Sequence, residues 1–175
     1  LPQSYSQLQN DTYSICSQIS FSCGNISYPF WGGNRPQFCG RNGFKLTCMH
    51  NENASVQVGP QRFNVLNINQ TASTLRMVRT DLAYDRCSSN FTNTSLSVSP
   101  FTFLPSVQNV IVFYECPPSG INSVVGNTFT CQNDTSKHAS YVVNGTQLNQ
   151  FPDLHKYCGV SVEVQVSQIN SSCVS

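Results

Sequence analysis

The hydrophobic pattern of this 175-residue chain is that of a β protein with long connections. The clearest element is Val160 to Val166, where Val alternates strictly with Ser, Glu and Gln. That period of two, with β-branched residues on one face, predicts a half-buried strand. Val110 to Tyr114 is the longest unbroken apolar run. It predicts a central strand, over about residues 107–114, covered on both faces. Phe63, Val65 and Ile68 predict a third strand with a bulge, because 65 and 68 fall out of step with simple alternation. Leu75 to Val78 and Leu96 to Val98 are shorter strand signals. Helical periodicity is poor, and the best helix signal is a turn or two over Pro152 to Tyr157. Ten Gly and nine Pro punctuate the rest, with no fixed-period repeat, heptad or low-complexity tract.

Composition explains how such a chain stays in solution. Only 10% of its residues are charged, against about 25% in an average soluble domain. The sequon N-x-S/T occurs nine times, at Asn10, Asn25, Asn53, Asn69, Asn90, Asn93, Asn133, Asn144 and Asn170. With 18 Asn and 36 Ser plus Thr, chance gives about four such tripeptides. Bulky hydrophilic glycans would supply the wetting that charge does not.

Cysteine points to the same compartment. Cys16, Cys23, Cys39, Cys48, Cys87, Cys116, Cys131, Cys158 and Cys173 are spread along the chain and never form the C-x-x-C pairs of a zinc site. They read as an oxidised framework of an extracellular protein, with the pairing open. Nine is odd, and Cys173 is the candidate left unpaired. The chain opens on Leu1-Pro2-Gln3, without a basic leader or apolar signal region, and reads as matured or trimmed.

Net charge is +1, which argues against a nucleic-acid or polybasic membrane-surface protein. The charge is uneven: seven basic and four acidic residues in 1–90 give +3, and two basic against four acidic in 91–175 give −2. Cys116-Pro117-Pro118 cannot continue a strand, so the boundary between two β-rich subdomains is placed there, as 1–117 and 118–175.

The densest stretch of chemistry is Cys16 to Cys48, with four of the nine cysteines and the sole tryptophan. Its motifs C-G-x-I-S-Y-P-F-W, R-P-x-F-C-G and G-F-x-L-x-C, at 23–31, 35–40 and 43–48, resemble the extracellular galacturonan-binding domain of plant wall-associated receptor kinases. The resemblance is closest to the leaf-rust-resistance-type branch. F-N-V-L-N-I-N at 63–69, T-L-R-M-V-R-T-D at 74–81, Cys87, Pro100-Phe101 and N-V-I-V-F-Y-E-C at 109–116 belong to the same pattern, which covers about residues 13–118. Residues 118–175 look like the N-terminal part of the C-terminal module associated with that domain. The chain departs from the family by stopping before the later cysteines of that module.

The resemblance implies a mainly β, disulfide-rich, N-glycosylated ectodomain with little helix, in the cell wall or apoplast. A membrane helix and a cytoplasmic kinase would lie outside this chain. It further implies a pectic ligand, a polymer with one carboxylate per sugar, and possible protein co-receptors. Such a ligand needs cations and an apolar platform, and Arg suits a carboxylate through its planar fork. The N-terminal part supplies Arg35, Arg41, Lys45, Arg62, Arg76, Arg79 and Arg86, with Tyr28, Phe30 and Trp31 as aromatic surface, and the candidates are Arg35, Arg41, Lys45, Arg76 and Arg79 with Tyr28 and Trp31. Arg35 and Arg41 flank Cys39, so disulfides would pre-organise their loop. Against this, Tyr28-Pro29-Phe30 reads as core or turn packing before it reads as a sugar platform. Arg76 and Arg79, three apart on a strand, face opposite ways unless a bulge intervenes, and Asp81 or Asp85 can pair with Arg79 or Arg86.

Catalytic motifs are absent: there is no G-x-S-x-G, H-E-x-x-H or phosphate loop. His50, His138 and His155 sit in polar contexts. His155 and Cys158 have metal-ligand spacing without a second pair. No cofactor is expected, and calcium enters only as a bridge between pectate and protein carboxylates. The reading is a non-enzymatic, pectin-binding receptor ectodomain. A receptor module for a peptide, co-receptor or microbial effector is one alternative, and a secreted decoy without a kinase is another.

Overall fold

The structure is a computed structural model, and it describes residues 5–17, 20–48, 54–87, 91–97, 99–117, 127–131, 139–144 and 148–166. The chain divides into two compact units, Leu1–Tyr84 with Leu96–Phe101, and Asp85–Ser95 with Thr102–Ser175. Residues 85–117, placed with the N-terminal module by the sequence boundary, thus belong mostly to the second unit.

The first unit opens with helix α1 (Tyr5–Ser17) and a short hairpin, β1 (Ser20–Phe21) and β2 (Gly24–Asn25). A five-stranded sheet follows, built from β3 (Trp31–Gly32), β4 (Lys45–Thr47), β5 (Ser55–Val58), β6 (Gln61–Asn69) and β7 (Thr74–Arg79) in spatial order β3-β4-β5-β6-β7. β3 and β4 are parallel and the other neighbours antiparallel. The short helix α2 (Thr80–Tyr84) closes the sheet. Alternation sorts the strands into two faces. Leu46, Val56 and Phe63 lie opposite one another in register and are buried. With Ile26, Phe30, Val58, Val65 and Leu96 they make the core. Phe44 joins it through edge-on ring contacts to Phe30 and Phe101, 5.5 and 5.1 Å between centroids. The register of β6 slips between Val65 and Asn67. That extra residue brings both Val65 and Ile68 to the core side, as their spacing predicted.

Helix α1 was not expected, because YSQLQNDTYSICS has no apolar stripe and little reason to be helical alone. Its end is held by the Cys16–Cys39 disulfide and by Arg35 Nη1, which donates to Cys16 O at 2.8 Å. A second disulfide, Cys23–Cys48, links the hairpin to the end of β4.

The second unit is a four-stranded antiparallel sheet in the order β11-β8-β10-β9. Its strands are β8 (Gln108–Cys116), β9 (Asn127–Thr130), β10 (Ala139–Asn144) and β11 (Val160–Val166), with one helical turn, α3 (Leu154–Tyr157), before the last. The continuous apolar run thus becomes an interior strand and the alternating run an edge strand. Phe113, Cys116, Val143 and Leu154 form the buried core, and Cys116–Cys158 bridges within it. Tyr114 packs against Phe91 and Phe129 at 4.7 and 5.9 Å and donates to Arg86 O at 2.9 Å. Cys87–Cys131 is the fourth bridge. Cys173 lies outside the described residues.

Residues 91–97 are not a strand, which corrects the expectation for Leu96 to Val98 as far as its described residues go; Val98 lies outside them. The segment straps the edge of β11 instead, Thr94 N donating to Glu163 O and Glu163 N to Asn93 Oδ1, both at 2.9 Å. Leu96 then fills the first core.

Candidate functional site

The first sheet has one apolar face and one polar face, and the polar face gathers the candidate binding chemistry. Trp31 is registered opposite Lys45 across the β3–β4 pair. The antiparallel registers carry the same row on to Gln57 of β5 and Arg62 of β6. Adjacent strands lie about 4.8 Å apart, so this four-residue row spans about 14 Å. Lys45 and Gln57 are exposed, and Trp31 and Arg62 half-buried. Strands β3 to β7 contain no Asp or Glu.

Each member of the row is held in place. Trp31 Nε1 donates to Arg41 O at 2.9 Å, and that carbonyl also accepts from Phe44 N at 3.1 Å. A Cβ on Gly40 would fall 2.7 Å from the indole Cδ1, so this glycine lets the loop lie against the ring. Gly32, with φ +128°, lets β3 approach β4: a Cβ there would fall 1.9 Å from Leu46 O. Lys45 Nζ lies 5.4 Å from the Trp31 ring centroid, a cation–π geometry that presents the ammonium over the indole. Arg62 Nε donates to Ser55 Oγ at 3.0 Å, which steadies the guanidinium while leaving its outer nitrogens for a ligand. Gln57 Nε2 is tied to Gly59 O at 2.9 Å.

The arginines foreseen as ligands divide by burial. Arg35 is 3% exposed. Its guanidinium donates to Phe30 O at 3.0 Å, Cys16 O at 2.8 Å and Cys39 O at 3.1 Å, so it joins the N-terminal helix to the disulfide loop. Arg79 is also 3% exposed and pairs bidentately with Asp81, Nη2–Oδ2 at 2.6 Å and Nε–Oδ1 at 3.1 Å, the pairing expected for one of these acids. Both are committed to the fold. Arg41 is exposed in the loop whose backbone holds Trp31. Arg76 is exposed on β7. Leu75 and Met77 on either side of it turn to the core, so Arg76 shares the polar face with Lys45 and Arg62 while Arg79 points the other way. It pairs with Asn67, five residues along β6 from Arg62, about 17 Å up the sheet. Tyr28 is exposed and precedes a cis Pro29, whereas Phe30 is core.

Arg62 is one of the cations that the sequence offers, and Gln57 is the member of the row that the sequence reading does not single out. Gln57 alternates with buried Val56 and Val58, and that period of two is its signal. Burial opposes ionisation of Asp81. The hydrogen bond and charge of Arg79, with the Leu82 N–H, outweigh it and hold the carboxyl below its ordinary range. Among the described residues no group of three or more His, Cys, Asp or Glu is arranged to hold a metal.

The first sheet is pinned by disulfides and carries a cationic and aromatic face whose strands hold no Asp or Glu. Residues 16–79 match the family described as wall-associated receptor kinase galacturonan-binding, and the chain is similar to the corresponding part of receptor-like kinases. Its similarity reaches beyond the matched segment. The leaf rust 10 disease-resistance locus receptor-like protein kinase-like 1.4 of Arabidopsis thaliana is 33% identical over 91% of this chain and 26% of its own length. The homologous protein 2.4 of the same plant is 37% identical over 73% of this chain and 22% of its own. The chain therefore spans about a quarter of the length of these relatives. No solved structure matches it. Among the described residues no helix is long and apolar enough to cross a membrane.

Proposed function

We propose that this chain binds pectic, galacturonate-rich polysaccharide or oligosaccharide in the cell wall, and that binding is read out by a kinase elsewhere in the full receptor. The carrying observation is the row Trp31–Lys45–Gln57–Arg62 on a sheet face without carboxylates. A polymer bearing one carboxylate per sugar meets cations at intervals across the strands, with Gln57 available to hydroxyls and Trp31 to a sugar face. Arg41 flanks the row, and Arg76 is a further exposed cation up the same face. Residues 118–175 are the beginning of the family's C-terminal module, anchorage in the plasma membrane comes from a segment of the full receptor outside this chain, and sequon-borne glycans keep the weakly charged surface wet.

Exposed ion pairs contribute up to about 1 kcal/mol each, so two of them give a weak site that depends on ionic strength. The test is calorimetric titration of the secreted protein with a defined oligogalacturonide at low and physiological salt. Lys45→Ala with Arg62→Ala should weaken binding by up to about thirtyfold, and salt should weaken the parent protein's binding. Absence of binding at both salt levels removes this reading and moves weight to a protein partner.

A further inference from the structure

The polar face that carries the row also carries a sequon. Asn69 ends β6 and is registered opposite Thr74 of β7. Leu75 and Ile68 beside them pack on the core, so Asn69 and Thr74 lie on the polar face, with Arg76 two residues along from Thr74 on the same side. Asn69 is exposed, as are Gln70 and Thr71, which complete the tripeptide. Asn69 Oδ1 accepts from Ala72 N at 3.0 Å. That bond fixes the carboxamide and turns Nδ2, which has no partner among the described residues, toward solvent.

We infer that Asn69 is N-glycosylated and that its glycan covers the Arg76 end of the polar face, limiting how far up the sheet an acidic oligosaccharide can run. In the modification, Asn69 Nδ2 bonds to the anomeric carbon of the first sugar of a lipid-pyrophosphate-linked oligosaccharide. The anomeric C–O bond breaks, the lipid pyrophosphate leaves with its electron pair, and the amide proton passes to solvent. The glycan then stands beside Arg76, while the Trp31–Arg62 row, about 17 Å or more down the strands, stays clear. No other residue of strands β3 to β7 starts a sequon: Asn64 and Asn67 are followed two residues later by Leu66 and Asn69. The site would thus favour short stretches or chain ends over the middle of a long polymer. This rests on the proposed function, and its test separates the two.

Thr71→Ala removes the sequon while keeping Asn69 and its bond to Ala72. The parent and the variant are secreted from plant cells, and the peptide spanning Asn69 is read by mass spectrometry. Both proteins are then titrated with a galacturonate trimer and a galacturonate dodecamer. A glycan on Asn69 of the parent alone is expected. The trimer should bind both proteins equally, and the dodecamer about fivefold tighter to the variant, one exposed ion pair being gained. An unmodified Asn69 in the parent overturns the inference. So does an occupied Asn69 with equal dodecamer affinities, even if both oligomers bind. Binding of neither oligomer to either protein overturns the proposed function, and the glycan's length-limiting role with it, while the mass spectrum still decides the modification.

Discussion

Replacing Asp81 by Asn probes the ion pair that ends the core-facing register row of the first sheet. The Arg79 side chain is 2% exposed and that of Asp81 25%, so the amide would leave a buried guanidinium against a neutral group. Removing one partner of a buried pair costs about 3–5 kcal/mol. A quarter of the Asp81 side chain meets water and Arg79 has further partners, which lowers the expectation to about 2–3 kcal/mol. The effect carries a pH signature. The Asp81 carboxyl is held below its ordinary range in the fold, so its contribution is complete above about pH 4, the unfolded value, and fades as pH falls through the lower folded value. The assay is urea unfolding followed by the fluorescence of Trp31, the sole tryptophan and a reporter in the first unit. Asp81→Asn should lower stability by about 2–3 kcal/mol at pH 7, and the gap to the parent should narrow below pH 4. A gap under about 0.5 kcal/mol at pH 7, the scale of an ordinary surface substitution, would refute the argument. A gap that stays constant on acidification would refute the linkage.

Gly32→Ala should abolish secretion of folded protein, because the new Cβ meets the Leu46 carbonyl at 1.9 Å; near-normal yield in culture medium would contradict this. Removing the Cys116–Cys158 bridge by a double Ala substitution opens a link between positions 42 apart and should cost about 4 kcal/mol, read as an earlier thermal transition by circular dichroism. Trp31→Phe removes the donor to Arg41 O and weakens the ring's attraction for Lys45. It should reduce oligogalacturonide affinity severalfold with little change in the melting curve, and unchanged affinity would take the indole out of the site.

What the residues disclosed depended on whether the relevant partner was near in sequence. The strands at 61–69, 74–79, 108–116 and 160–166 were legible because alternation and apolar runs are local. The bulge in β6 was legible too, as a spacing of three between Val65 and Ile68. The opposite facing of Arg76 and Arg79 followed from strand geometry alone. The burial of Arg35 was not legible, for an instructive reason. Its three carbonyl acceptors come from Cys16, Phe30 and Cys39, gathered around a disulfide whose pairing the sequence left open among many. Helix α1 was missed on the same account, since its order comes from that bridge and that arginine rather than from propensity. The Trp31–Lys45–Gln57–Arg62 row needed the register of four strands, which no local pattern supplies.

The path of the chain through the first core bears on how the protein is made. Leu96 and Phe101 belong to the N-terminal unit but follow Asp85–Ser95, which belong to the other. During synthesis from the N-terminus, the first sheet can pair its strands once residue 79 has emerged, yet its core stays unfilled beside Phe44 until Phe101 arrives. A nascent chain paused in that interval would offer apolar surface to chaperones of the secretory pathway. A fragment cut at the end of the family-matched segment would keep that opening permanently. Work on the isolated N-terminal unit should therefore retain the chain through Phe101, or supply residues 96–101 as a separate peptide and look for recovery of the fold.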